Sequence, residues 1–373
     1  MVSRVGILIG LAAILTAPGT AGAADLPLDT ITLPEGFSIS VYAENLENAR
    51  ALAWGDNGAL FVSTMRAGKV YAVVDTDGDF KADKTYEIAG DLHTPNGVAF
   101  KDGALYVAEI NRILRFDGIE SSLEKPPAPV VVNDGFPTAE MHGWKYIAFG
   151  PDGKLYLNVG APCNSCDPSG DDERYATIMR VGADGANPEI FARGVRNSVG
   201  FSWHPVSKEL YFTDNGRDML GDDTPECELN RATAPGQHFG FPYIHCGDVP
   251  DPDHGAGHTP SEFVPPVAKM GPHNAPLGMK FYTGSQFPEE YKNNIFVAKH
   301  GSWNRSIPSG YEVARVKLDG AGNSAGVESF ATGWLQRTKA WGRPVDVIVA
   351  EDGALLVSDD QNGVVYRIAY AAK

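Results

Sequence analysis

The sequence predicts an all-β protein, a six-bladed β-propeller built from four-stranded antiparallel blades. A short hairpin unit occurs six times: an apolar strand, a turn rich in Asp and Gly, then a strand of the type small residue–Leu–aromatic–Val. Further alternating apolar segments follow several of these hairpins, which brings each repeat to about four strands. The chain also contains 42 Gly and 26 Pro, as expected for many turns and few long helices.

The six copies of the unit follow one another along nearly the whole chain, and the fifth is degenerate. They are LAWGDNGALFVS (52–63), VAFKDGALYVA (98–108), IAFGPDGKLYLN (147–158), FSWHPVSKELYFT (201–213), MKFYTG…NNIFVA (279–298) and VIVAEDGALLVS (347–358). A pair of β-sandwiches is the alternative, and the regular repetition disfavours it. Residues 31–46 precede the first unit and are predicted to add a strand to the last blade. Residues 217–278 are predicted to form a long, ordered loop excursion rather than a blade.

The first 23 residues indicate export. Arg4 precedes an apolar run over 5–15, and Ala21-Gly22-Ala23 is typical of a cleavage site. The run is too short to cross a bilayer, which takes about 20 apolar residues. We therefore expect a signal peptide over 1–23, cleaved near Ala23, and a single propeller domain over 24–373. This domain would be periplasmic or secreted and would not span a membrane. A buried N-terminal helix or a retained anchor is the alternative.

The charge balance excludes one class of partner. The chain has 31 Lys and Arg against 47 Asp and Glu, a formal net charge of −16. Nucleic acid requires a basic face to neutralise its phosphates, so we expect no nucleic-acid partner.

The 4 cysteines of an exported chain are expected to pair. Sequence proximity favours two local bridges, Cys163–Cys166 and Cys227–Cys246, as structural links. A redox-active Cys163–Cys166 pair is the alternative, but no thioredoxin-like βαβ pattern surrounds it. Asp167 follows Cys166, so the haem-attachment motif, which needs a His there, is absent.

Cationic residues precede the leading strands at corresponding distances. In a meander of four strands, the loops that enter the innermost strand and the loops between strands two and three open at the same end of the channel. Five of the six entering loops carry His or Arg in this acidic protein, and the first carries Glu47 instead. The five are His93, His142, Arg196, His273 and Arg343. The ring as a set predicts a positive end to the channel that suits an anion with several carboxylates or phosphates.

Two acidic segments are candidate calcium sites, since carboxylate and carbonyl oxygens suit Ca²⁺. The run TDNGRDMLGDD (213–223) places Asp214, Asp218, Asp222 and Asp223 among flexible glycines, and a solvated acidic loop is an equally good interpretation of it. The second segment resembles the start of an EF-hand loop, but Phe80 replaces its turn glycine and Tyr86 its final Glu. We expect at most a structural site there. Its candidate ligands are Asp75, Asp77, Asp79 and Asp83.

Seven stretches, taken together and in order, resemble the soluble glucose/sorbosone dehydrogenases that depend on pyrroloquinoline quinone (PQQ), a family of six-bladed propellers. They are MHGWKYIAFGPDGKLY (141–156), GVRNSVGFSWHP (194–205), TDNGRDMLGDDTPECELN (213–230), HFGFPY (238–243), APLGMKFYTG (275–284), KHGSWNRS (299–306) and GRPVDV (342–347). The resemblance implies a periplasmic quinoprotein oxidoreductase that oxidises the C1 hydroxyl, or the aldehyde, of a sugar. It also implies bound PQQ, Ca²⁺ and an external electron acceptor, either a quinone or a cytochrome.

The resemblance also implies roles for individual residues. His142 would be the general base that takes the proton of the sugar C1 hydroxyl while hydride passes to the cofactor, with Arg196 beside it. Cofactor contacts would come from Arg196, Asn197 and Arg343, and from His273 in the cationic ring. The backbone oxygens of Gly216 and Arg217 would hold the calcium.

The chain departs from the best-known glucose enzymes of that family at two places. Gly216-Arg217 replaces their Gly-Pro in the calcium loop, and KHGSWNRS surrounds the position of their cofactor lysine. Lys299, His300 or Arg305 is expected to take the place of that lysine. The chain looks closer to the broader aldose or sorbosone branch than to the glucose branch.

Two other functions stay open on the sequence. One is a calcium-dependent hydrolase of the lactonase type, which needs a channel metal held by Glu, Asn and Asp side chains, whereas this ring is His and Arg. The other is a non-enzymatic periplasmic propeller that binds a partner on one face.

Overall fold

The structure is a computed structural model that describes residues 26–371, so the predicted signal peptide lies outside the described residues. The predicted all-β class and the six-bladed propeller are confirmed, with six four-stranded units in chain order around a central channel. Within the described residues no helix is long and apolar enough to cross a membrane.

In each blade the strands follow one another from the channel outwards. Blade one has Ala49–Trp54, Leu60–Thr64, Val70–Val74 and Lys84–Ala89. Blade two has Gly97–Lys101, Ala104–Ala108, Ile113–Phe116 and Val130–Asn133. Blade three has Ile147–Phe149, Leu155–Val159, Thr177–Val181 and Glu189–Arg193, with Gln237–His238 added in parallel at its edge.

The other three blades are built in the same way. Blade four has Phe201–Trp203, Leu210–Asp214, Glu226–Ala232 and Ala268–Pro272. Blade five has Pro276–Phe281, Ile295–Lys299, Glu312–Leu318 and Ser324–Ala331. Blade six has Pro344–Val349, Leu355–Asp359, Val364–Tyr370 and, on its outer edge, Phe37–Ala43.

Short elements connect the blades. Two small hairpins are formed by Ile244–His245 with Val249–Pro250 and by Leu335–Gln336 with Lys339–Ala340. The 3₁₀ turns are Leu28–Thr30, Ile119–Ser121, Pro168–Gly170, Pro260–Glu262 and Glu289–Tyr291.

The N-terminal strand closes the ring, as predicted for residues 31–46. Phe37–Ala43 pairs antiparallel with Val364–Tyr370, from Phe37 opposite Tyr370 to Ala43 opposite Val365. A strand from the start of the chain thus covers the edge of the last blade, and an unpaired edge there would be open to other strands.

The aromatic position of the repeated unit explains how the blades pack. The aromatic residue of one second strand contacts the aromatic residue at the end of the next blade's innermost strand. The ring centroids are 5.7 Å apart for Phe61 and Phe100, 5.0 Å for Tyr106 and Phe149, 5.0 Å for Tyr156 and Trp203, and 5.2 Å for Tyr211 and Phe281. Such a pair contributes about 0.5–1.5 kcal/mol beyond its buried area. The core therefore lies between neighbouring blades.

The segment 217–278 differs from the prediction. It contains Glu226–Ala232 and Ala268–Pro272, which are the third and fourth strands of blade four, so only residues 233–267 form the excursion. No Asp-Gly turn of the kind seen in the repeated hairpin marks the strand Glu226–Ala232 in the sequence. A bulge also interrupts the pairing of this strand with the outer strand. These irregularities hide the strands from a search for the repeat.

One of the two predicted disulfides forms. Cys163 and Cys166 are bridged, whereas Cys227 and Cys246 are free and buried, so the predicted Cys227–Cys246 bridge is wrong. The backbone N–H of Cys246 donates to the side chain of Glu228 at 2.6 Å. Because successive side chains of a strand point to opposite faces, Cys227 points away from the face where Cys246 lies.

The alternating strand directions give the channel two different ends. The loops that enter the innermost strands, and those between the second and third strands, open at one end, which we call the mouth. The turns between the first and second strands, and between the third and fourth, open at the opposite end, which we call the far end.

Candidate functional site

His142 lies at the mouth, in the loop that enters the innermost strand of blade three. Its imidazole is buried, and Nδ1 lies 2.8 Å from the carbonyl oxygen of Ala161. Because a carbonyl oxygen only accepts, Nδ1 carries the proton and Nε2 keeps a free lone pair. Gly160 makes this approach possible, since a Cβ there would lie 2.6 Å from the Cβ of His142.

The pKa of His142 lies well below the ordinary value of a histidine, which titrates near neutrality. Burial lowers the pKa of His142 to about 3, and the positive charge of Arg196 adds to this shift. The imidazole is therefore neutral throughout the physiological range, in the form that accepts a proton.

Asp214 fixes the backbone of the neighbouring pair, Arg196 and Asn197. One carboxylate oxygen of this buried residue accepts the N–H of Arg196 at 2.8 Å, and the other accepts the N–H of Asn197 at 2.6 Å. Burial raises the pKa of Asp214 to about 7, against these hydrogen bonds. Asp214 therefore acts on the site through the backbone it holds, and its predicted role as a calcium ligand stays a prediction.

The guanidinium of Arg196 is held from several sides. It donates to the backbone oxygen of Asn164 at 2.9 Å, to the side-chain oxygen of Asn164 at 2.8 Å and to the backbone oxygen of Asn215 at 3.1 Å. It also pairs with Asp218 at 3.2 Å. The other oxygen of Asp218 accepts from Asn304 at 2.7 Å and lies 3.8 Å from Nδ1 of His273. We call these five residues the Arg196 cluster: Asn164, Arg196, Asp218, His273 and Asn304.

A second group at the mouth joins three blades, and we call it the Arg343 cluster: Arg50, His300, Arg343 and Asp360. Asp360 accepts from His300 at 2.8 Å and from Arg50 at 2.9 Å. Arg343 donates to the backbone oxygens of His300 and Gly301 at 3.1 and 2.9 Å. Burial acts to raise the pKa of Asp360, but the charges of His300 and Arg50 outweigh it and hold that pKa well below its usual range.

Arg50 supplies the cation that the first blade lacked in the sequence pattern. The pattern places Glu47 at the corresponding position, whereas the structure uses Arg50, one residue inside the innermost strand. An Arg at the start of an otherwise apolar strand was the available signal. Asn304 was missed as a site residue, and the contacts of Asn164, Asp218 and Asp360 with the cationic ring were not predicted, because only the fold shows which side chains meet.

Several predicted residues lie outside both clusters. Lys299 pairs with Glu312 at 2.9 Å, and Arg305 pairs with Asp223 at 3.0 Å. The guanidinium of Arg217 contacts Asp251 and, at 2.8 Å, Asp253. Asp222 accepts the N–H of Ser306 at 3.1 Å. His93 pairs with Glu140 at 3.0 Å and its side chain is 55% exposed.

The mouth leaves buried polar atoms without a partner among residues 26–371. Among them are the side-chain oxygens of Asn197 and Asn304 and the indole nitrogen of Trp144, whose ring lies 5.9 Å from that of His142. Buried polar atoms are normally paired, so these indicate a bound polar group. A planar cofactor with carboxylates and carbonyls fits this set, because guanidinium pairs with carboxylate and the amides and indole remain free to bind it. Arg196, Asn197, Asn304 and Arg343 would hold it.

The structure places the two predicted calcium sites at opposite ends of the channel. Within the described residues no N–H or O–H group donates to the backbone oxygen of Gly216 or Arg217, so both remain available to a hard cation. The carboxylates of 213–223 do not converge. The group of three that converges in the described part of the chain is Asp75, Asp77 and Asp83, within 4.8 Å of one another. Asp79 is not part of it. That hairpin joins the third and fourth strands of blade one, at the far end.

Comparisons with known proteins identify the family of the chain. The sequence profile of the family described as "Glucose / Sorbosone dehydrogenase" matches residues 130–367. An uncharacterised protein of Borreliella burgdorferi is 33% identical over 362 residues, 93% of each chain.

Two solved structures share the fold. One is the PQQ domain of pyranose dehydrogenase from Coprinopsis cinerea in its holo form, with a TM-score of 0.78 and 19% identity, over 91% of this chain and 97% of that one. The other is the PQQ-bound aldose sugar dehydrogenase from Streptomyces coelicolor, with a TM-score of 0.65 and 22% identity, over 91% of this chain and 100% of that one.

Proposed function

The chain belongs to the glucose/sorbosone dehydrogenase family, and from this premise we propose that it is a quinoprotein oxidoreductase acting on a sugar. It would oxidise the C1 hydroxyl, or the aldehyde, of an aldose with PQQ and Ca²⁺, and pass the electrons to an external quinone or cytochrome. We also propose that it does so after export to the periplasm or the medium.

One observation carries the proposal: a neutral imidazole with its free Nε2 lies at the mouth beside a buried, immobilised guanidinium. The Nδ1–H of His142 is committed to Ala161, so Nε2 can take the proton of a sugar hydroxyl as general base. The backbone oxygen of Arg196 accepts the N–H of the same Ala161 at 2.8 Å, which ties the two loops together. The base and the cation therefore share one short, rigid connection.

PQQ would supply the two-electron, hydride-accepting chemistry that the amino acids lack. The chain's own residues bind and orient the reactants. Arg196 and Arg343 offer two fixed positive charges to carboxylates, and burial strengthens such pairs because little water screens them. Arg196 also stabilises negative charge that develops near it as His142 takes the proton.

The hydrolase alternative fits less well. The mouth contains carboxylates, but Asp218 pairs with Arg196 and Asp360 pairs with His300 and Arg50, so they do not converge on a metal as a lactonase requires. The converging carboxylates of the described residues lie at the far end instead.

Reconstitution of the purified apoprotein tests the proposal. PQQ and Ca²⁺ should bind together with a change in visible absorbance, and an aldose should then reduce the bound cofactor. Chelation with excess EGTA should release both cofactor and activity, and added Ca²⁺ should restore them. Lactone hydrolysis without cofactor would support the alternative enzyme. Unchanged PQQ affinity in excess chelator would make any calcium purely structural.

A further inference from the structure

The far end of the channel contains a cavity of about 250 Å³ that the proposed function does not use. All six blades contribute to it at one structurally equivalent position, the residue opposite the aromatic position of the second strand. These residues are Ala53, Ala99, Ala148, Ser202, Lys280 and Ile348. The cavity is therefore centred on the channel axis, and we call it the axial cavity.

Lys280 breaks the pattern of that ring. Four of the other five positions are Ala or Ile, and the fifth is Ser202. Within residues 26–371 the ammonium of Lys280 has no hydrogen-bond partner and no carboxylate within 4 Å, and the hydroxyl of Ser202 has no partner either. The packing of the other blades shows that a small residue is sufficient at this position. Lys280 instead places an ammonium group without an ion-pair partner in the lining of the cavity.

Asp346 acts on Lys280 through its charge but does not form an ion pair with it. The charge of Lys280 acts on Asp346, but the two oxygens of Asp346 accept the N–H groups of Leu52 and Val347 at 2.9 and 2.8 Å. Burial lowers the pKa of Lys280, with the charge of Asp346 acting against this shift, so an anion beside the ammonium would stabilise its charged form.

Aromatic side chains form part of the wall of the axial cavity. Trp54, Phe100, Phe149 and Trp203 line it together with Tyr146. Its volume lies just under the roughly 300–1,000 Å³ of pockets for drug-sized ligands, so it has room for a molecule of about one ring.

We propose that the axial cavity binds a small organic carboxylate, whose charged group pairs with Lys280 and Ser202 and whose ring or chain packs on the aromatic walls. The site is separate from the mouth, so it takes its ligand whether or not the cofactor is bound.

Calorimetry on the protein, both free of cofactor and incubated with PQQ and Ca²⁺, tests this proposal, with benzoate as the probe at constant ionic strength. One benzoate should bind per chain. Lys280→Met should weaken benzoate at least tenfold, since hydrogen bonds to charged groups are the strong ones. The same variant should change the dissociation constant of the neutral analogue benzyl alcohol by no more than about twofold. Lys125→Met removes the same charge from an exposed loop and should behave as wild type.

Ser202→Ala is the second variant and should weaken benzoate about threefold, which keeps the test available if Lys280→Met does not fold. Benzoate that binds only to the cofactor-free protein, or equally to wild type and Lys280→Met, would overturn the proposal. Inorganic phosphate that binds as tightly as benzoate would also overturn it, because the site would then recognise an inorganic ion. Absence of benzoate binding up to solubility would do the same. None of these outcomes depends on sugar oxidation, so failure here and failure of the proposed function are distinguishable.

Discussion

The mouth and the far end of the channel are built on the same six innermost strands, yet they differ in chemistry. At the mouth, the ends of the strands and the loops beside them bring together Arg50, His142, Arg196, His300 and Arg343, and each of these side chains makes a hydrogen bond to a neighbouring residue. At the far end, the strands themselves line the cavity with small and aromatic residues and with the unpaired Lys280. The loops at the mouth carry the polar clusters, whereas the aromatic contacts between blades lie along the strands. The strand ends must keep the aromatic contacts between blades, so a deviation such as Lys280 is more informative there.

The largest effect should come from the base at the mouth. His142→Ala should lower the rate at which sugar reduces the bound cofactor by roughly 10²–10⁴, because a positioned general base is lost. PQQ binding should change little. His93→Ala is the matched control, since His93 holds the corresponding position in blade two but is half-exposed and pairs with Glu140. Single-turnover absorbance measures both rates. A His142→Ala protein within a few-fold of wild type would move the base to another residue, with His273 or His300 next.

A smaller effect is expected from the support beneath the mouth. In the wild type, Asp214 accepts the backbone N–H groups of Arg196 and Asn197. Asp214→Asn keeps the shape of the side chain, but its NH₂ group faces one of these two donors and leaves that donor without an acceptor. A buried donor left unsatisfied costs about 1–3 kcal/mol, so PQQ affinity should fall about tenfold as Arg196 and Asn197 lose their fixed positions. Titration by absorbance checks this, with the exposed Asp102→Asn as control. Unchanged affinity and kcat would show that Asp214 supports only the fold.

The same buried acid gives a pH dependence. Burial raises the pKa of Asp214 to about 7 and that of its cross-strand neighbour Glu228 to about 8. Both values lie above those of the unfolded chain, so folding favours the protonated forms. The resulting stability is fully present below about pH 4 and is lost as the pH rises towards 8, with a slope of about 1.4 kcal/mol per pH unit for each proton.

Glu228→Gln should reduce this loss of stability between pH 5 and pH 8, because one titrating group and its charge on Asp214 are removed. The unpaired oxygen of Asn230 can turn to accept from the new amide. Urea unfolding at several pH values measures the effect, with the exposed Glu124→Gln as control. Identical pH profiles for Glu228→Gln and wild type would show that titration of Glu228 does not contribute to the pH dependence of stability.

The smallest effect concerns the cysteines. Alkylation without reductant should label no thiol in the folded protein and two after unfolding, Cys227 and Cys246, since burial raises the pKa of both. Cys163 and Cys166 should react only after reduction. Mass spectrometry of the labelled peptides distinguishes free from bridged cysteines. If all four cysteines reacted only after reduction, Cys227 and Cys246 would be bridged after all. The same spectra would show whether the mature chain begins near residue 24.

The blades were predictable because local chemistry repeats in them. Alternating apolar residues, Asp-Gly turns and the aromatic position mark each hairpin, and the pairing of 37–43 with the last blade followed from the need to close the ring. The site was predictable only in part. His142, Arg196 and Arg343 occupy corresponding positions in their blades, whereas Asp218 and Asn304 lie 86 residues apart in loops that meet only in space.

The sequence could not show which charged side chains pair with one another. Lys299 and Arg305 look as basic in the sequence as Arg343, but each has its own carboxylate, Glu312 or Asp223. The axial cavity was missed for a similar reason, since the position of Lys280 in a ring of six residues becomes visible only when the blades are superposed on one axis.

The most direct test of the account is the dissociation constant of PQQ for wild type and for Arg343→Met, in the presence of Ca²⁺. If the charges at the mouth hold the carboxylates of the cofactor, Arg343→Met should weaken PQQ at least tenfold, while the exposed Lys125→Met stays within twofold of wild type. Equal affinities for all three proteins, or no saturable binding of PQQ to the wild type, would contradict the assignment of the mouth as the cofactor site.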